Sequence, residues 1–118
     1  MANTISSLKL GSTIGVFAPP YATCSTIAST AAKVATVQNS GYFPSSTDLK
    51  AGAKVIVKFS NTNTATSNPT LNVNSSGAKA IYYAGEAFRD LIADHLYELV
   101  YDGRQWVVLN PPLVWHTF

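Results

Sequence analysis

Between residues 52 and 109, hydrophobic and polar residues alternate in short runs separated by Asn, Thr, Ser and Gly. Val55, Val57 and Phe59 alternate with Lys54, Ile56 and Lys58, and Leu71 and Val73 alternate with Asn72 and Asn74. A period of two puts successive side chains on opposite faces, so each run predicts a strand with one buried and one wet face. Strands are expected over 55–59, 71–73, 79–83, 96–101 and 105–109. Asp102-Gly103 reads as a two-residue hairpin loop, setting Tyr101 against Arg104, Leu99 against Trp106 and Tyr97 against Val108. Those pairs share the expected core face. Leu96, Glu98 and Val100, with Leu109, Val107 and Gln105, share the opposite, partly apolar face. Asn110-Pro111-Pro112 stops the ladder, because proline has no N–H to give.

The first part of the chain is less regular. Ile27, Ala31 and Val34 recur at helical spacing among alanines, whereas Ser25, Thr26, Ser29 and Thr30 compete for backbone hydrogen bonds in non-helical geometry. The expectation is a loop or short helical turn over 24–32, then a strand over 33–37. Residues 4–10 alternate and suggest an opening strand or extended arm, and Gly11, Gly15, Pro19 and Pro20 mark a linker. Residues 61–69 read as a polar loop, and 87–93 as a helical turn or irregular crossover. The expected organisation is an arm and linker over 1–20, a β module over 21–112 and an aromatic tail over 113–118. At 118 residues the chain can bury a core without disulfide or metal support. The fold class that follows is all-β: a β-sandwich or jelly-roll-like arrangement of antiparallel sheets, with room for one short helical turn.

Only 12% of residues are charged, about half the usual share of a soluble domain. Ser, Thr and Asn supply the polarity instead, and weak repulsion between copies favours self-association. The formal charge of +2 gives no reason to expect nucleic-acid binding. Its distribution is uneven: six lysines stand against Asp48 alone before Glu86, and from there Arg89 and Arg104 stand against Glu86, Asp90, Asp94, Glu98 and Asp102. Two faces of one sandwich account for the split, as does a basic face of one copy meeting an acidic edge of the next. The single cysteine, Cys24, excludes an internal disulfide framework and a cysteine-rich zinc site, and reads as a small buried hydrophobe. No run approaches the ~18 apolar residues of a membrane span. The opening Met1-Ala2-Asn3-Thr4 lacks the charged region and apolar run of a secretory signal, so synthesis in a cytoplasm and no membrane insertion are expected.

The residues do not assemble a recognisable active site. Asp94 and His95 are adjacent, which in a strand points them to opposite faces, and a Gly-x-Ser-x-Gly elbow is missing. Glu86, Asp90 and Asp94 are spaced by four, so a helix would align them, yet they have no His partner for a metal and read as a solvated acidic face. Phosphate-binding and dinucleotide-binding glycine patterns are absent as well. A non-enzyme without cofactor or metal is the expectation. Asn74-Ser75-Ser76 fits a glycosylation sequon, a pattern that chance supplies in an Asn/Ser-rich chain. Aromatics are the one pointer to binding. Tyr82, Tyr83, Tyr101, Trp115 and His116 are candidate glycan or subunit contacts, with Asn and Thr of the loops available to sugar hydroxyls.

Several segments together resemble a module of phage tail and fibre proteins, especially of phages of gut bacteria. They are Tyr21-Ala22-Thr23-Cys24-Ser25-Thr26, Thr30-Ala31-Ala32-Lys33-Val34, Gly52-Ala53-Lys54-Val55, Val57-Lys58-Phe59, Pro69-Thr70-Leu71-Asn72-Val73-Asn74, Gly77-Ala78-Lys79, Ile81-Tyr82-Tyr83 and Tyr97-Glu98-Leu99-Val100-Tyr101-Asp102-Gly103, in that order. The opening Ser6-Ser7-Leu8-Lys9-Leu10-Gly11 is similar to a common start of phage structural proteins. The resemblance implies a β-rich virion module of a tail fibre, baseplate or head fibre, often trimeric, made in the bacterial host and carried on the particle. It implies no catalytic or ligand residues, and the chain lacks the long shaft of many such fibres. The expected function is that of a virion structural protein, a fibre or decoration protein. It would dock to other virion proteins through the 1–20 arm, form a homo-oligomer, a trimer by the resemblance, and contribute to host-surface attachment. The alternative is a carbohydrate-binding module for a bacterial surface polysaccharide.

Overall fold

The computed structural model describes residues 19–39, 43–45 and 47–112. The expected opening strand and almost all of the 1–20 arm, and the tail with Trp115 and His116, lie outside the described residues. Eight strands follow in order: β1 (Tyr21–Cys24), β2 (Ala32–Val37), β3 (Lys54–Phe59), β4 (Thr70–Val73), β5 (Lys79–Tyr83), β6 (Glu86–Ala87), β7 (Leu96–Tyr101) and β8 (Trp106–Val108). They hydrogen-bond in the order β4-β2-β1-β3-β7-β8-β5-β6, and a further β4–β5 pairing joins the ends. The result is a closed barrel, with β6 extending β5 beyond the point where β4 leaves it.

This differs from the two packed antiparallel sheets expected. The β1–β3, β2–β4 and β5–β8 pairs are parallel, and the remaining pairs are antiparallel. Parallel neighbours need crossover connections, which run through β2 for β1–β3, through β3 for β2–β4 and through β6 and β7 for β5–β8. Closure removes the exposed edges that an open sandwich would have to protect. Among the described residues there is no helix. Ser25–Ala31 is a loop turning on the Thr30 N–H to Ile27 carbonyl bond (3.1 Å), and Glu86, Asp90 and Asp94 are not aligned on a helix face.

The interior is filled with side chains. Val55, Val57 and Phe59 of β3 meet Tyr97, Leu99 and Tyr101 of β7, with Ala22, Leu71, Val73, Ile81, Trp106 and Val108 completing the layers. One end is closed by Phe43 and Leu49 from the β2–β3 connection, and the Phe43 ring lies 6.2 Å from Trp106. At the other end Leu91 and Phe88 of the β6–β7 crossover pack over the Phe59–Tyr97 edge-to-face pair.

Two strands depart from a simple reading of hydrophobicity. In β2 the inward residues are Lys33, Ala35 and Val37, while Val34 points out and is 56% exposed. The Lys33 ammonium reaches the Ile27 and Ala28 carbonyls at 3.3 and 3.4 Å, so a charged residue closes the loop where the apolar Val34 does not. In the β7–β8 hairpin Tyr101 faces Trp106, Val100 faces Val107 and Leu99 faces Val108. The turn therefore spans Asp102 to Gln105 in place of two residues. One Asp102 carboxylate oxygen accepts the N–H groups of Arg104 and Gln105, at 2.9 and 3.0 Å, which makes this longer turn self-supporting. The shift is even, so Tyr97, Leu99, Tyr101, Trp106 and Val108 keep the core face expected of them, and only Arg104 leaves it.

Candidate interaction surface

The barrel's inside is occupied by side chains, which leaves its outer surface to meet other molecules. Outward residues of adjacent strands line up through the registers. Tyr21 of β1 is level with Ile56 of β3, Ile56 with Glu98 of β7, Val100 of β7 with Val107 of β8, and Val107 with Tyr82 of β5. Leu109 follows β8 and donates its N–H to the Glu98 carbonyl at 2.9 Å, which sets it beside Glu98. An apolar stripe thus crosses five strands in two offset rows that meet on the Ile56–Val100 diagonal, with Glu98 and Lys54 at the other corners. Half-buried Tyr21, Ile56, Val100, Val107 and Tyr82 are bordered by Leu96 and Leu109, 50% and 48% exposed. The outward residues of β2 and β4 are mostly small or polar, namely Ala32, Thr36, Thr70 and Asn72, with Val34 alone among them. Single exposed apolar residues are ordinary, whereas a contiguous patch marks a surface that contacts something.

The charges around the stripe are sparse. Lys58 lies 3.8 Å from Asp94, an exposed pair of little energetic weight. Lys54 and Glu98 form no ion pair among the described residues. The sequence's division into basic and acidic parts is not a division into faces, since Lys58 meets Asp94 and Lys54 sits across from β7.

The expected contact residues are scattered. Tyr82 belongs to the stripe. Tyr83 is 42% exposed at a barrel end, edge-on to Phe88 at 6.0 Å, beside the tight Ala84-Gly85 turn whose residues both have positive φ (54 and 84). Tyr101 is buried, its ring 5.5 Å from Trp106 and its hydroxyl donating to the Gly103 carbonyl at 3.0 Å, so it presents no face to a ligand. Trp115 and His116 lie outside the described residues. Sequence reasoning missed Tyr21, Ile56 and Leu109 as members of one patch, because only the β1–β3, β3–β7 and β7–β8 registers bring them together.

The asparagines that might meet sugar hydroxyls are largely engaged by the backbone. Asn39 accepts the Tyr21 N–H at 2.7 Å and donates to the Pro19 carbonyl at 3.0 Å. Asn110 accepts the Glu98 N–H and donates to the Leu96 carbonyl, at 2.7 and 2.8 Å. Asn74 accepts the Val37 N–H at 2.8 Å, Asn61 donates to the Thr26 carbonyl at 3.1 Å, and Asn63 donates to the Arg89 carbonyl at 3.0 Å. Asn39, Asn74 and Asn110 finish strand ends where the ladder runs out, and Asn61 and Asn63 tie one loop to another. The sequon residue Asn74 is part of a turn with positive φ at Asn74 and Ser75, and Ser76 is fully buried.

Titratable groups have structural surroundings. Cys24 is buried, and burial pulls the nearby Lys33 below the ordinary ammonium range while the Cys24 thiol acts in the opposite direction. His95 packs on Tyr97 at 4.5 Å, with Nε2 2.9 Å from the Asn110 carbonyl. Among the described residues no three His, Cys, Asp or Glu side chains are grouped to hold a metal ion, and no helix is long and apolar enough to cross a membrane. No family model, curated protein or solved structure matches the chain.

Proposed function

We propose that the chain is a self-assembling, non-enzymatic structural module of a phage particle, a fibre or decoration protein that projects from the virion and contributes to host-surface attachment. The observation that carries this reading is the apolar stripe on the outside of a barrel whose interior is already filled. A surface of that kind serves contact between macromolecules rather than chemistry on a small substrate. The ordered resemblance to phage fibre segments supplies the virion setting and the role of the first twenty residues as the dock. The engagement of the asparagine amides by backbone supports architecture over a sugar pocket, so a carbohydrate-binding module is the lesser reading.

The test is incorporation. A chain lacking residues 1–18 keeps Pro20, whose carbonyl accepts the Ile56 N–H at 2.9 Å, and is expected to fold with an unchanged circular dichroism spectrum. It is expected to be missing from purified particles that incorporate the full chain. Equal incorporation of the truncated chain overturns the docking role. On a bacterial glycan array the purified protein is expected to be silent; saturable binding lost on Tyr83→Ala transfers the assignment to the carbohydrate-binding module.

A further inference from the structure

We infer that a second copy of this chain covers the stripe, in a two-fold contact centred on Ile56 and Val100 that sets Lys54 of each copy against Glu98 of the other. The inference rests on the reading of the chain as a self-assembling module and names the face, the partner and the symmetry, two-fold where the phage resemblance implies a trimer.

The geometry comes from the β3–β7 register. Lys54 lies opposite Val100, and Ile56 lies opposite Glu98. These four outward positions form a rectangle about 4.8 Å across the strands and roughly 6.8 Å along them. Lys54 and Glu98 occupy one diagonal, and Ile56 and Val100 occupy the other. A two-fold axis lying in the contact plane along the Ile56–Val100 diagonal brings each apolar residue onto its own copy. The same rotation brings Lys54 of one molecule to within about 3 Å, in the contact plane, of Glu98 of its partner, twice, an offset that two long side chains span. Self-complementarity of this kind is what a two-fold contact requires, since residue i must meet j wherever j meets i.

Other two-fold arrangements of the same patch fail electrostatically. An axis along the Lys54–Glu98 diagonal stacks like charges on themselves. An axis along the strands sets Lys54 on Val100 and Glu98 on Ile56, covering both charges without a partner, which is costly. Lys58, the other lysine next to Glu98 on the β3 side, already lies against Asp94, leaving Lys54 and Glu98 unpaired among the described residues. The net charge of only +2 opposes the approach of a second copy weakly.

The experiment is sedimentation velocity on the full chain over a concentration series. A monomer–dimer equilibrium is expected. Glu98→Lys and Lys54→Glu are each expected to weaken it at least about tenfold, and the double variant, which restores opposite charges across the axis, to return to within about threefold of the original. Both side chains are on the outer face, so circular dichroism and the unfolding midpoint of dilute, monomeric protein are expected to change little. A trimer mass, single reversals without effect, or a double variant that fails to recover overturns the two-fold contact while leaving self-assembly standing. Association lost on removing residues 113–118 but insensitive to both reversals assigns the stripe to that segment and overturns the proposal. A monomer at every concentration overturns the contact and the self-assembly reading together, whereas the virion role fails only in the incorporation test.

Discussion

Tyr97→Phe isolates the clamp that holds the β6–β7 crossover against the barrel. The Tyr97 hydroxyl donates to the Asp90 carbonyl and accepts the Ile92 N–H, each at 2.7 Å, while the ring is fully buried between Phe59, Phe88 and His95. Phenylalanine keeps the ring contacts and removes only the oxygen. The half-buried Ile92 N–H then loses its partner, at about 1–3 kcal/mol, and the Asp90 carbonyl, on an exposed residue, loses a bond worth roughly 0.5–1 kcal/mol because water can replace it. A total of about 1.5–4 kcal/mol is expected. In urea this lowers the midpoint with m unchanged, since the surface exposed on unfolding is the same. Tyr101→Phe is the control: it removes one bond to the exposed Gly103 carbonyl and is expected to cost at most about 1 kcal/mol. Faster hydrogen exchange at the Ile92 amide accompanies the loss only in Tyr97→Phe. A Tyr97→Phe cost no larger than that of Tyr101→Phe, with Ile92 exchange unchanged, would falsify the clamp. Burial raises the Tyr97 pKa, the Ile92 N–H lowers it, and the Asp90 charge raises it, the net direction being upward. Its contribution is therefore complete below the unfolded tyrosine range and is lost as pH climbs through the folded value.

Asp102 tests the turn. The Gln105 and Arg104 N–H groups hold its carboxyl below the ordinary Asp range, so its stabilisation is present above the unfolded value and is lost as pH falls through the folded one. A carboxyl NMR titration is expected to place its midpoint below that of a free aspartate, and Asp102→Ala to flatten this part of the acid limb; a midpoint at or above the free value sinks the assignment. Cys24, 1% exposed, is expected to react with a thiol reagent only through unfolding, with a rate that rises with urea as the unfolded fraction does. Native labelling as fast as that of an exposed cysteine refutes its place in the core.

The legible part of this fold was local. Alternation at 55–59, 71–73 and 96–101 foretold β3, β4 and β7 and their inward residues, because a period of two is a property of the strand itself. The Ala84-Gly85 turn carried no Asn-Gly signature, and β1 was too short to show a period. Across the loop before β2 and β2 itself, the helical spacing of Ile27 and Val34 described two exposed residues, and Lys33 took the inward position, its ammonium bonding the Ile27 and Ala28 carbonyls. Asp102-Gly103 announced the hairpin but not its register, which the side chain of Asp102 decided by bonding Arg104 and Gln105.

The sequence by itself determined that the chain is β-structured and which face of its longer strands is buried. Only the tertiary structure decided that the strands close into a barrel, because the β1–β3, β2–β4 and β5–β8 pairs join segments far apart in the chain whose mutual register no local pattern encodes. The same long-range pairing gathered Tyr21, Ile56, Val100, Val107 and Tyr82 into one exterior stripe. A residue's alternation says which side of a strand it takes; its neighbours on that side belong to other strands, and they are chosen by closure of the sheet.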